Sequence, residues 1–197
     1  GRFAPWCMYK SDFIGHDILF APQSKEDSDL FNRFVLNGYK VVQSWDALVY
    51  HFTSRGSRFN KHVGGSAGNN SEEWIYTTNK NSRNFIRKWG HFVKHDCFMK
   101  PIIPHKYDVG CVVKNCTFEL LFHLEPWFNC IYCDIDVNNY IEKEKTNTIY
   151  DLSKRVKHTS QISNHDILLK FDGRMLNNQN FKFITELSSI INDSGEL

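Results

Sequence analysis

The chain has 197 residues, of which 41% are hydrophobic and 15% aromatic, a composition that supports a folded core and argues against disorder. No apolar run approaches the roughly 20 residues that a membrane-spanning helix needs. The formal net charge is only +2, but residues 53–100 carry nine Lys and Arg against three Asp and Glu, a band typical of an anionic partner or of a solvated surface.

Acidic residues crowd the sequence KEDSD at 25–29, just before the first helical pattern. Apolar residues repeat at helical spacing over 30–35, and Gly38 is a typical terminator, so the pattern predicts a helix. Ser24 and Asp27 are spaced nearly as in a capping box, which places the helix start at Ser24. The acids then fall in the first turn, where the helix dipole favours negative charge.

Two short strand-like runs follow, at 39–44 and 47–52, separated by a turn-prone Trp-Asp pair. Residues 53–70 are rich in Gly, Ser and Asn, which predicts a mobile loop of the length that is either functional or disordered. A second capping signal at Ser71 opens a long helix. The two prolines of the sequence KPIIPHK are expected to end it.

The pattern changes beyond these prolines, because strand-like and helix-like segments begin to alternate. The predicted strands are 107–116, 129–136 and 166–173, and the predicted helices are 117–127, 137–145, 151–156 and 181–193. Strands that alternate with helices predict a small parallel α/β unit with three layers. We therefore expect two domains, residues 1–100 and residues 101–197.

The six cysteines do not follow the pattern of a secreted disulfide framework, because several lie inside apolar runs such as VGCVV and NCIYC. A reduced cysteine in such a run acts as a small core residue, which predicts a reducing compartment, the cytoplasm. The spacing of Cys111, Cys116, Cys130 and Cys133 also allows a structural zinc site. Against zinc, Cys130 and Cys133 are three apart on a predicted strand and therefore face opposite sides.

An Asp-x-Asp pair, Asp134 and Asp136, ends the predicted strand at 129–136. Ligands of α/β sheets bind at this end of the strands, so the pair is a candidate for the metal of a nucleotide-sugar site. The alternative is a pair of strand-ending acids that bind no metal, which is common in such sheets.

Three features of residues 1–60 occur in a recognisable order: IGHD at 14–17, KEDSDLFNRFVLNGYKVV at 25–42 and ALVYHFTSRGSRF at 47–59. They resemble the C-terminal, acceptor-side half of a GT-A glycosyltransferase of the large inverting glycosyltransferase family 2. In that family a Gly-Gly-Asp-like turn precedes an acidic pair at a helix start, and a strand ending in histidine follows. The resemblance implies that residues 1–100 form half of a Rossmann-like GT-A domain.

The resemblance also implies roles for single residues. Asp27, the second acid of the pair, would be the catalytic base that takes the proton of the acceptor hydroxyl. Glu26 and Trp6 are expected to bind substrate. A purely structural interpretation remains open for Asp27, since an acid in a first turn also stabilises the helix.

His51 matches the strand-end histidine that in many family members helps to bind the divalent metal on the diphosphate, Mn or Mg. It is alternatively a hydrogen-bonded core histidine. Arg55 and Arg58 are candidates for binding the leaving diphosphate, since a guanidinium contacts phosphate with two hydrogen bonds. Both arginines are alternatively part of a solvated loop.

The resemblance therefore implies sugar transfer, with inversion, from a nucleotide-diphosphate sugar to a carbohydrate or other hydroxyl acceptor. In GT-A enzymes the donor-binding half comes first in the sequence, and almost nothing precedes residue 15 here. We expect the donor-binding half to be supplied in cis or in trans, and the isolated 197 residues to transfer sugar poorly or not at all.

A function of another class is also consistent with the sequence. Aromatic residues interleave with the basic residues of the 53–100 band, as in surfaces that hold nucleic acid or an anionic glycan without catalysis. A steep salt dependence of oligonucleotide binding would favour this alternative, and metal-dependent binding of a nucleotide sugar would favour the enzyme.

Overall fold

The structure is a computed structural model, and it describes residues 6–50 and 57–195. Within these ranges the helices are α1 Glu26–Leu36, α2 Glu72–Trp89, α3 Phe118–Leu124, α4 Val137–Glu144, α5 Leu152–Arg155 and α6 Asn178–Ser194. The strands are β1 Val109–Lys114, β2 Cys130–Cys133, β3 Val156–His158 and β4 Ile167–Asp172. Short 3-10 turns connect several of these elements.

The chain divides into two compact units. The first comprises Gly1–Ser82 with Val93–Ile102, and the second comprises Arg83–Phe92 with Ile103–Leu197. Helix α2 contributes residues to both units, because the division falls inside it. All four strands of the described chain belong to the second unit, so the first unit is described by its helices and turns.

Helix α1 confirms the helix predicted after the acidic cluster, but its start differs from the prediction. The residue before the helix is Lys25, which has a φ of 76° and makes no side-chain capping bond. Ser24 also has a positive φ, of 79°. The predicted capping box of Ser24 and Asp27 is therefore wrong, because a left-handed turn, and not a side-chain cap, leads into the helix.

The two strands predicted after α1 are wrong over residues 39–50, where the structure has no regular strand; the last two predicted residues lie outside the described part. Apolar side chains of this segment are exposed: Val42 82%, Leu48 84% and Tyr50 92%. A strand is stabilised by pairing, and an isolated hairpin is marginal in water. The apolar residues of this segment thus lie in irregular, exposed backbone, and no described strand pairs with them.

Helix α2 begins as predicted, since the Ser71 hydroxyl accepts a hydrogen bond from the N–H of Trp74 at 3.2 Å. Its end was predicted at Pro101 and is wrong by more than two turns. The helix ends at Trp89 because Gly90 adopts a φ of 78°, the left-handed conformation that commonly ends helices.

The second unit contains a four-stranded, all-parallel sheet in the order β3-β2-β1-β4. The α/β prediction for this unit is confirmed, and so are the three predicted strands. Strand β3 was not predicted, because its three residues follow the single turn of α5 and are too few to show a periodicity. Connections β1–α3–β2 and β2–α4–α5–β3 place successive parallel strands side by side.

The two faces of the sheet are covered differently. Cys111, Val113, Ile131 and Cys133 lie on one face, in a buried cluster that also holds the buried apolar side chains of α3, α4 and α6. A smaller cluster on the other face comprises Val112, Cys130 and Tyr132, with Leu168 against it. Cys130 and Cys133 therefore do face opposite sides, as the alternation predicted, and all six thiols are free.

The three-layer arrangement predicted for this unit is wrong in the described chain. Residues 159–166, which connect β3 to β4, contain a 3-10 turn and no helix. This segment covers the second face, where His165 and Ser163 hydrogen-bond Tyr132. The close contact requires a glycine at position 110, because a Cβ there would lie 2.3 Å from Cδ2 of His165.

None of the helices in the ranges 6–50 and 57–195 has both the length and the apolar character needed to cross a membrane. This agrees with the absence of a long apolar run in the sequence.

Candidate functional site

The turn that leads into α1 is held by one buried side chain. Asn81, on α2, donates its amide nitrogen to the carbonyl of Phe20 at 2.8 Å and to that of Gln23 at 2.6 Å. Ser24 and Lys25, which follow, both adopt positive φ angles that cost on the order of 1–3 kcal/mol each in a residue other than glycine. The two Asn81 hydrogen bonds therefore stabilise a turn whose backbone angles at Ser24 and Lys25 are unfavourable by themselves.

Asp29, the third acid of the cluster, has a structural partner. Its carboxylate is fully buried and accepts a 2.8 Å bond from Nε of Arg33, one helical turn further along. Arg33 also donates Nη2 to the carbonyl of Gly15 at 2.6 Å. Asp29 and Arg33 thus connect α1 to the IGHD turn, the two sequence features that the resemblance paired.

Glu26 is partly buried, and its Oε2 atom is buried without a hydrogen-bond partner among the described residues. The neighbouring Lys25 is also affected by burial, which lowers the pKa of its ammonium group, while the Glu26 carboxylate opposes that shift. A buried acceptor without a donor costs free energy, so Glu26 has an oxygen available to a donor from elsewhere.

Asp27 differs from both neighbours. It lies in the first turn of α1 with its side chain partly exposed, and its carboxylate forms no hydrogen bond or ion pair with any residue that the structure describes. Glu26 and Asp27 are thus the two acids of the cluster that no described residue bonds, and only Glu26 has an oxygen that is buried. A carboxylate such as that of Asp27 is able to accept a proton from a bound hydroxyl.

Trp6 lies at a separate feature of the first unit, a pocket of about 620 Å³. Its ring stacks on Phe13 with the centroids 5.8 Å apart. Phe31 and Phe34 of α1 form the buried side of this pocket, and Tyr39 contributes a further ring. Size and aromatic lining are typical of small-molecule sites.

The structure does not bring all the predicted site residues to that pocket. Glu26, Asp27 and Arg58 are absent from its lining, although all three lie in the described chain. His51 and Arg55 lie outside the described residues, so the structure says nothing about the predicted metal ligand or about one of the two predicted diphosphate contacts.

Arg58 is held beside the N-terminal end of α2. Its Nε donates to the side-chain oxygen of Asn70 at 2.5 Å, and its guanidinium lies 4.7 Å from the centre of the Trp74 ring and 5.2 Å from that of Phe59. Its carbonyl accepts a bond from the N–H of Ser71. These contacts fix the orientation of the guanidinium by stacking. The guanidinium keeps its positive charge and is therefore able to bind an anion.

The Asp-x-Asp pair has backbone partners in the structure. Asp134 accepts bonds from the N–H groups of Asn115 at 2.7 Å and Cys116 at 3.0 Å, and Asp136 accepts one from Asn138 at 3.0 Å, which caps α4. The bonds from Cys116 and Asn115 hold the pKa of Asp134 below its ordinary value, against the effect of burial. Both carboxylates thus have a structural role that needs no metal.

A metal centre is not visible in the rest of the described chain either: across 6–50 and 57–195 no three His, Cys, Asp or Glu side chains are grouped so as to hold an ion. The predicted ligand His51 lies between these ranges. A divalent cation therefore stays a prediction that depends on His51 and on residues beyond those described.

Two arginines of the basic band are held in ion pairs of the second unit, and one of them is buried. Arg87 is fully buried and bonds Glu125 at 2.6 Å and Glu144 at 2.7 Å. Arg83 bonds Glu144 at 3.0 Å, and Arg155 reaches Glu125 at 2.6 Å from the other side. The band is therefore less basic at the surface than its composition suggests.

Glu125 is the centre of this network. Burial alone would raise its pKa, but Arg87 and Arg155 more than offset burial and lower the pKa to about 2. The hydroxyl of Tyr140 adds a 3.1 Å bond to the same carboxylate. Sequence reasoning missed this network. The three arginines lie 30 to 42 residues from Glu125 along the chain, and no local pattern connects residues so far apart.

The second face of the sheet carries another network that the sequence did not reveal. Nδ1 of His165 lies 3.0 Å from the carboxylate of Asp108, and its Nε2 lies 2.8 Å from the hydroxyl of Tyr132. The Tyr132 hydroxyl is 2.6 Å from that of Ser163. This chain of bonds attaches the segment 159–166 to the sheet.

The geometry thus leaves one sequence-predicted residue, Asp27, in a position suited to chemistry, with Glu26 beside it. Trp6 lines a different feature, and Arg58 stacks beside the N-terminal end of α2. The chain matches no family model, no curated protein and no solved structure.

Proposed function

We propose that the chain is the acceptor-side part of an inverting, metal-dependent glycosyltransferase. The reaction moves a sugar from a nucleotide-diphosphate sugar to a hydroxyl of a carbohydrate or another acceptor, and Asp27 is the general base that removes the hydroxyl proton. One observation carries the proposal: the Asp27 carboxylate is partly exposed and bonded by no described residue, whereas Asp29 is fully buried against Arg33 and Glu26 has one oxygen buried.

The neighbouring acids are less suited to the role of base. Asp29 is fully buried and bonded to Arg33, so its carboxylate is not accessible to the hydroxyl of an acceptor. Glu26 has one buried oxygen without a hydrogen-bond partner, and this oxygen is able to accept a hydrogen bond from the hydroxyl of an acceptor. We assign proton removal to Asp27 and substrate binding to Glu26.

A catalytic carboxylate also needs a rigid frame, since displacement by 1 Å can cost much of the rate. Asn81 holds the turn before α1 through two bonds, and Arg33 ties the helix to Gly15 through a third. These bonds support a fixed position for the first turn of α1, where Asp27 lies.

The donor-binding half is the missing component of this proposal, in cis or in trans. The exposed apolar segment 39–50 supports it, because its large apolar side chains offer a surface that another part of an enzyme can cover. The proposal further assigns Mn or Mg to His51, the diphosphate to Arg55 and Arg58, and substrate contact to Trp6.

The test compares two proteins. A longer chain, or a pair of chains, that contains the donor-binding half together with residues 1–197 should show sugar transfer that EDTA abolishes and Mn²⁺ restores, measured with a panel of nucleotide-diphosphate sugars. Residues 1–197 alone should give no measurable turnover with the same panel. Robust turnover by the isolated chain would contradict the assignment of the donor site to a missing half.

A further inference from the structure

We propose that the free edge of β4 pairs, antiparallel, with the same strand of a second copy of this chain. Strand β4 pairs with β1 on one side and with no described strand on the other. A six-residue edge without proline presents a row of unpaired N–H and C=O groups, which is a template for another strand.

The direction of the backbone groups limits how two copies can pair. The N–H of Ile167 donates to the carbonyl of Asp108, so residues 167, 169 and 171 direct their backbone groups towards β1. The alternate residues Leu168, Lys170 and Asp172 therefore direct their N–H and C=O groups outward. In a two-fold antiparallel pair, hydrogen bonds form only where an outward residue lies opposite another outward residue.

Charge complementarity then selects one register. If the two-fold axis passes through Lys170, the two lysines lie directly opposite each other, which is unfavourable. If the axis passes through Phe171, Lys170 of each copy lies opposite Asp172 of the other, and symmetry repeats this pair of opposite charges. The second register also places the two Phe171 side chains face to face at the axis.

Apolar surface beside this edge extends the contact. A groove of about 240 Å³ runs along β4 and α6, and its lining includes Phe171, Met175 and Phe183. Met175 is 70% exposed and Phe183 48% exposed. The pairing of two short strands buries only a small area. Burial of these apolar side chains by the second copy is therefore needed to reach the area of a specific dimer.

The two edge strands of the sheet, β4 and β3, limit the assembly to two copies. Strand β4 ends at Asp172, where a 3-10 turn begins and where Arg174 and the side-chain amide of Asn115 bond the carboxylate. The opposite edge, β3, has only three residues and offers little backbone for pairing. Pairing through β4 therefore closes into a two-fold dimer instead of a fibre.

Sedimentation velocity over about 1–100 µM protein tests the association. The wild-type chain should shift from monomer to dimer, and Lys170→Glu, which places a carboxylate opposite Asp172, should weaken the dimer at least tenfold. The matched control is Lys157→Glu on the opposite edge strand β3, which should leave the dimer unchanged. Thermal unfolding followed by circular dichroism checks that both variants fold. A wild-type chain that stays monomeric throughout, or a Lys170→Glu variant that dimerises like wild type, would overturn the proposal.

Cross-linking tests the register independently. In a background where the exposed Cys7 and Cys97 are changed to serine, Phe171→Cys should form an intermolecular disulfide on mild oxidation, because its two copies face each other at the axis. Lys170→Cys should not, since its two copies are offset along the strands. Efficient cross-linking through Lys170→Cys and none through Phe171→Cys would contradict the proposed register.

Discussion

Three carboxylates within four residues raise the question of how each is tolerated, and the structure gives three different answers. Asp29 is neutralised by Arg33, Glu26 has one oxygen buried without a partner, and Asp27 is uncommitted within the described chain. The sequence revealed the crowding but not this division. The bond that fixes Arg33 reaches Gly15, 18 residues away, and local spacing does not encode it.

The division of roles predicts different costs of substitution. Asp29→Asn leaves Arg33 without its buried carboxylate and should lower the free energy of unfolding by about 1–3 kcal/mol. Asp27→Asn removes no described bond and should change it by less than about 0.5 kcal/mol. Urea unfolding of both variants, followed by tryptophan fluorescence, measures the difference. Equal losses would mean that Asp29 and Asp27 are equivalent in the fold.

Glu125 gives a prediction about acid stability. Its pKa falls from an ordinary value of 4.5 to about 2 in the folded chain, so the folded state binds fewer protons than the unfolded state between these values. The stability that Glu125 contributes is therefore complete above about pH 4.5 and is lost as the pH falls towards 2. Urea unfolding at pH 6, 4 and 3 should show this decline.

The matched variant is Glu125→Gln, which keeps the shape of the side chain and removes its charge. Because Arg87 and Arg155 are buried against that charge, the variant should lose about 3–5 kcal/mol of unfolding free energy at pH 6. Its remaining stability should depend less on pH between 4.5 and 2 than that of the wild type. An unchanged stability at pH 6 would contradict a central role of Glu125.

At the scale of elements, local periodicity predicted most of the second unit. The strands β1, β2 and β4 and the helices α3 and α4 lie within the predicted segments, and α6 extends beyond its predicted segment 181–193 at both ends. The strands are short apolar runs and the helices carry apolar residues at helical spacing, and both patterns can be read locally. The errors have physical causes that one segment does not reveal. Residues 39–50 lack a strand partner, β3 is too short to show a period, and residues 159–166 cover a face on which a helix was expected.

The contact of that segment with β1 is testable through Gly110. A Cβ at this position would overlap the His165 ring, so Gly110→Ala should displace residues 159–166 and cost about 1–3 kcal/mol of unfolding free energy. His165→Ala removes the overlapping ring, so the double variant should be more stable than the sum of the two single losses implies. Additive losses in this double-mutant cycle would show that the ring and the strand do not compete for space.

For the whole molecule, the fold of the second unit could be predicted from the sequence more fully than the candidate site. The site draws residues from separate segments: Asn81 of α2 fixes the turn at Gln23, and Arg33 fixes Gly15. Pairings over such separations depend on the folded chain and leave no periodic signal. The acidic pair, in contrast, is local, and its place at a helix start could be predicted.

The central claim is that Asp27 is the working carboxylate, and the turnover number of the enzyme that includes the donor-binding half tests it most directly. Asp27→Asn should lower kcat by roughly 10²–10⁴-fold, since it removes the general base and keeps the size of the side chain. Glu73→Gln, which removes an exposed acid from the first turn of α2, is the matched control and should leave kcat unchanged. A loss confined to Asp27→Asn is the predicted result, and equal kcat values in the two variants and the wild type would contradict the claim.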